Sequence, residues 1–111
     1  MRIEIRAHKL ELSARLRAHA ERRLGFALGR FAPRIARVVV RFSDAGAEKR
    51  CQIDVSLRSQ SLPAEDVHTD AFAAVDNAAS RMARLIARII ERERDLGELP
   101  PPIRKNDKPR R

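Results

Sequence analysis

The chain has 111 residues, 43% hydrophobic and 35% charged, which suits one folded domain with a modest core and argues against disorder throughout. Its 24 Lys and Arg outnumber 15 Asp and Glu, and the resulting net charge of +9 favours a polyanionic partner such as RNA, DNA or an anionic membrane surface. No apolar run approaches the roughly 20 residues needed to span a bilayer, and the N-terminus lacks a signal-peptide core, so a cytosolic location is expected.

Met1 to Ala7 alternates, with Ile3 and Ile5 on one side and Arg2, Glu4 and Arg6 on the other, which predicts a half-buried strand. A helix follows. Ser13 can cap it, and Leu16, Ala20, Leu24, Ala27, Leu28 and Phe31 form a core stripe that ends before Pro33. Phe26 falls outside that stripe, where its ring either stacks on a base or ribose or folds back onto a neighbouring element.

From Ile35 to Phe42 the chain alternates again, with Arg37 and Arg41 on one face and Val38, Val40 and Phe42 on the other. Asp44, Ala45 and Gly46 lie in a hairpin turn expected over Ser43 to Glu48. Lys49 to Arg58 then returns with Cys51, Ile53, Val55 and Leu57 inward. A short fourth strand is expected near Leu62 to Val67, at an edge because Pro63 cannot donate to a ladder. Thr69 or Asp70 can cap a last helix running to about Asp95, with Phe72, Val75, Ala79, Met82, Ile86, Ile89 and Ile90 as its buried stripe. Residues 1–97 should form the folded domain. Beyond Gly97 the run of prolines and the basic residues to Arg111 predict a disordered tail over 98–111.

The order strand, helix, three strands, helix predicts a two-layer α+β domain. Strands two to four should form an antiparallel meander, the first strand should join beside them after the helical crossover, and both helices should cover one face of the four-stranded sheet. The opposite sheet face, carrying residues such as Arg50, Gln52, Asp54 and Ser56, should meet water.

Nothing in the chain assembles a catalytic site. Cys51 alternates with apolar neighbours and reads as core. His8, His19 and His68 lack metal-ligand spacing, and Glu65-Asp66 and Asp44 with Glu48 have no His or phosphate loop to complete them. No cofactor, metal or small-molecule substrate is expected. What remains is arginine. At 100° per residue, Arg15, Arg22, Arg23 and Arg30 share one sector of the first helix and Arg81, Arg84, Arg88 and Arg92 one sector of the second, both away from the apolar side. With both stripes on the sheet, the two rows should lie side by side on the outer surface with a groove between them. Rows of guanidinium groups on rigid elements suit a phosphate backbone.

The chain resembles the ribosome hibernation-promoting factors and ribosome-associated inhibitor proteins of bacteria. The resemblance rests on Ile3-Glu4-Ile5, on Arg30-Phe31-Ala32-Pro33-Arg34-Ile35-Ala36-Arg37-Val38-Val39-Val40, and most specifically on Thr69-Asp70-Ala71-Phe72-Ala73-Ala74-Val75-Asp76. It runs from Met1 to about Arg94. It implies a fold similar to double-stranded RNA-binding domains and a non-catalytic protein that docks on the small ribosomal subunit. In such proteins basic helices contact rRNA in the messenger and transfer RNA channel and so promote hibernation under stress. The eight helix arginines become candidate RNA contacts, with Arg37 and Arg41 less suited. The resemblance is to the short form, without a C-terminal dimerisation domain, and implies a monomer when free and no membrane partner. It differs from many members in using arginine almost to the exclusion of lysine. A paralogue of the same fold that binds other structured RNA, or a protein-interaction module using the open sheet face, is the alternative.

Overall fold

A computed structural model describes residues 1–98, with side chains described through residue 95; the expected basic tail lies, apart from residue 98, outside the described residues. The elements are β1 (Ile3–His8), α1 (Ala14–Leu28), a 3-10 segment (Gly29–Arg34), β2 (Ile35–Ala45), β3 (Glu48–Leu57), β4 (Ser61–His68) and α2 (Ala71–Glu98). The sheet order is β1-β2-β3-β4. β1 runs parallel to β2 across the α1 crossover, and the remaining pairs are antiparallel. This is the expected β-α-β-β-β-α domain.

Alternation assigns the faces. Val38, Val40 and Phe42 of β2 and Cys51, Ile53 and Val55 of β3 are fully buried, against Leu16, Ala20, Leu24 and Leu28 of α1 and Val75, Ala79, Met82 and Ile86 of α2. Both helices therefore cover one face of the sheet. The other face carries the cross-strand rows Glu4, Val39, Asp54, Pro63 and Arg6, Arg41, Gln52, Glu65.

Several element ends differ from the sequence reading. The α-helical hydrogen bonding of α1 stops at Leu28, and the chain tightens into a 3-10 segment that contains Pro33. An α-helix would require a donor at Pro33, whereas three residues per turn keep Phe31 on the side of Leu28, and Phe31 stays buried. At the start of β2, two steps from Ile35 to Arg37 oppose one from Leu57 to Ser56. Strict alternation would place Ile35 on the open face with Arg37; this bulge turns it into the core, where it is 5% exposed. The hairpin loop is shorter than expected. Ala45 pairs with Glu48, leaving Gly46 and Ala47 as the turn, with Gly46 at φ +79°. β4 is an edge strand, so one side needs no ladder and Pro63 is accommodated within it.

Both helix starts are capped. The Ser13 hydroxyl accepts from the Leu16 amide at 3.1 Å, and the Asp70 carboxylate accepts from the Phe72 amide at 2.9 Å. α2 continues past Asp95 through Gly97 to Glu98. Its last fully buried residue among the described side chains is Ile86, while Ile89 and Ile90 are half-buried and residues 91–95 are exposed, so these later turns reach beyond the main core.

Candidate nucleic-acid interface

α1 and α2 lie side by side and meet through polar groups. His19 Nε2 is 2.8 Å from Asp76 Oδ1, the His19 ring meets Phe72 edge-on at 5.1 Å, and Arg23 donates to the Ser80 hydroxyl at 2.7 Å. Arg23 Nε also lies 3.6 Å from Asp76 Oδ1. The groove expected between the helices is thus bridged at two points, and an open depression lined by Arg15, Ala18, His19, Arg22 and Phe72 lies at its N-terminal end.

The eight predicted arginines divide into two groups. Arg23 is half-buried in the seam, which corrects its placement with the solvent-facing row. Its position one turn beyond His19 follows the α2-facing side of α1, a distinction that needs knowledge of where the second helix lies. Arg81 is exposed, yet it donates to the Glu65 carbonyl at 2.9 Å and lies 3.7 Å from Asp66, tying α2 to β4. The other six, Arg15, Arg22, Arg30, Arg84, Arg88 and Arg92, are exposed and make no ion pair among the described residues. Arg30 belongs to the 3-10 segment, and its guanidinium covers the Phe31 ring at 4.6 Å from the centroid.

The open sheet face is built differently. Arg6 and Arg37 both bind Glu4, Arg41 binds Asp54 at 2.6 Å, and Arg50 lies 3.4 Å from Glu65. The Arg37 guanidinium, and after it that of Arg6, holds the Glu4 carboxyl down from 4.5 to about 2. These pairs also shield Val39. Its register partners are Glu4 and Asp54, Arg37 and Arg41 flank it on β2, and it is only 8% exposed on the solvent side of the sheet. The cations of one face are therefore matched by carboxylates, whereas most of those on the helices are not.

Cys51 lies under the helices, and burial pushes its thiol up to about 12, with the nearby Asp66 charge adding to the shift. Among the described residues no group of three or more His, Cys, Asp or Glu is placed to hold a metal ion. No described helix is long and apolar enough to cross a membrane.

Fold and site together define a two-layer α+β domain with a cationic helix side and a charge-compensated sheet side. Residues 3–94 match the family described as sigma 54 modulation protein / S30EA ribosomal protein, and the chain belongs to that family. Its fold is similar to that of a ribosomal subunit interface protein from Coxiella burnetii, with a TM-score of 0.74, 18% identity, and coverage of 82% of this chain and 99% of that one. The N-terminal domain of Protein Y from Thermus thermophilus is similar at a TM-score of 0.72 and 27% identity, over 80% of this chain and 99% of that one. The comparison with curated proteins gives no match.

Proposed function

We propose that this protein is a non-catalytic ribosome-binding factor that docks its helix face on the rRNA of the small ribosomal subunit, obstructs the messenger and transfer RNA channel and promotes hibernation under stress. The observation that carries this reading is the separation of charge. Six of the eight predicted arginines on or beside the helices lack carboxylate partners among the described residues, while Arg6, Arg37, Arg41 and Arg50 on the sheet face are neutralised. Uncompensated guanidinium groups on a packed scaffold bind phosphates without first breaking an internal ion pair. Family membership and the subunit-interface protein of the same fold support the ribosome as the source of those phosphates. The protein acts as a monomer in the cytoplasm, where its partner resides.

Arg22, Arg84 and Arg88, each exposed and unpaired among the described residues, represent both helices in the proposed contact surface. Arg23 and Arg81 serve chiefly to hold α1 to α2 and α2 to β4. Co-sedimentation with purified small subunits, large subunits and intact ribosomes tests the reading. Stoichiometric, salt-sensitive binding to the small subunit is expected, with loss of about 10-fold or more in affinity for each contact removed in the R22A/R84A/R88A variant, about 10³-fold for all three, since each charge-assisted contact contributes roughly 1.5–3 kcal/mol. The variant should keep the wild-type circular dichroism. Binding to protein-free structured RNA in place of the small subunit would instead support a drifted partner.

A further inference from the structure

The chain contains four phenylalanines and no tyrosine or tryptophan. Phe31 and Phe42 are buried and Phe72 is half-buried in the helix seam, but Phe26 on α1 is 82% exposed. It is the one large hydrophobic side chain exposed on the helix side among the described residues, the others being Met1 at the terminus and Val67 on the sheet face. A single exposed apolar residue is ordinary. Its surroundings are not.

Arg22 precedes Phe26 by one helical turn, Arg30 follows four residues later, and the Arg23 guanidinium lies 5.8 Å from the ring centroid. Arg23 is itself held by Ser80, so the cation beside the ring is anchored and the ring does not fold back onto α2. At 82% exposure the two ring faces cannot both be covered, and one is open to a planar partner. Arg22 is exposed and unpaired among the described residues, about 6 Å along the helix axis from Phe26. Arg30 is also unpaired there, and its stacking on Phe31 orients the guanidinium.

We propose that Phe26 is a stacking platform for an unpaired nucleobase, with Arg22 and Arg30 holding the phosphates on either side of that nucleotide. This rests on the ribosome-binding reading and adds to it a preference for an extrahelical or single-stranded position in the rRNA. The charge pattern selects the partner. An apolar protein groove would have to desolvate the surrounding guanidinium groups to receive the ring, and a membrane surface needs more than one apolar anchor. A nucleotide supplies both a π-face for the ring and a phosphate for each arginine. The aromatic face reads flatness, not a hydrogen-bond pattern, so the site tolerates any of the four bases.

The test measures affinity for purified small ribosomal subunits with Phe26→Ala, Phe26→Leu and Phe26→Trp. The side chain contributes nothing to the core, so all three variants should keep the wild-type melting temperature. Base stacking predicts a loss of about tenfold for both Ala and Leu and wild-type affinity or better for Trp. A photoreactive phenylalanine at position 26 should cross-link to an unpaired rRNA nucleotide. Wild-type affinity for Phe26→Leu, or cross-linking to ribosomal protein or to a base-paired nucleotide, overturns the stacking assignment while leaving ribosome binding in place. Failure of the unsubstituted protein to bind small subunits overturns the underlying reading and this one together.

Discussion

Glu4 shows how one carboxylate can set the character of a whole face. It sits on β1 opposite Val39, accepts from Arg37 at 2.9 Å and from Arg6 at 3.0 Å, and has its pKa lowered to about 2. A carboxyl whose folded pKa is depressed stabilises the native state above its unfolded pKa, and that contribution is lost as the pH falls through the folded value. Glu4→Gln should therefore melt below wild type at pH 7, with the gap closing between about pH 4.5 and pH 2. Since the site is exposed, the gap should also narrow in high salt. Melting curves from pH 7 to 2 check this, and a gap that does not change with pH would show that the Arg37 and Arg6 contacts are not what links Glu4 to stability. The arginines themselves were legible in the sequence as residues on faces. Which of them were already occupied was not, because the partners of Arg23 lie 53 and 57 residues away on a helix whose position only tertiary packing decides.

At the scale of the element, periodicity located every strand and helix because both apolar faces are clean: period two in β2 and β3, helical spacing in α1 and α2. It failed where the period changes. The Ile35 to Arg37 bulge reverses the face of one residue, and α1 gives way to a 3-10 segment after Leu28 while Phe31 stays buried as expected; neither leaves a break in the apolar pattern. The β2–β3 hairpin is a third case. Its two-residue loop has positive φ at Gly46 and not at Ala47, the pattern of a type II′ turn, which matches the right-handed twist of the flanking strands. A Cβ at Gly46 would meet nothing within 4 Å, so the cost of Gly46→Ala is confined to the backbone. That substitution should destabilise by about 1–2 kcal/mol. The melting temperature should fall by about 4–8 °C for each kcal/mol. Gly46→Asn should fall less, since Asn tolerates positive φ. An unchanged melting temperature for Gly46→Ala would mean that the loop relaxes to another turn type.

On the scale of the whole molecule, the distribution of charge carries more functional meaning than its total. A net charge of +9 spread evenly would attract any polyanion without orientation. Here the sheet-face arginines are held by Glu4, Asp54 and Glu65, so the field of the folded domain is directed from the helix side. This makes the salt dependence of binding a measure of which face docks. If Arg15, Arg22, Arg30, Arg84, Arg88 and Arg92 each neutralise a phosphate, affinity should fall by about 10³ between 50 and 200 mM monovalent salt. Each contact removed should lower the slope of log affinity against log salt by roughly 0.7–0.9, or by about 2–3 for R22A/R84A/R88A. A sheet-face variant of equal charge loss, R37A/R41A/R50A, should leave the slope close to wild type, because its guanidinium groups release no phosphate counterions when the helix side is bound. Titrations of labelled small subunits at four salt concentrations separate the two cases. A slope lowered equally by both triple variants would mean that the charge acts only through its sum, and the helix face would lose its claim to be the docking surface.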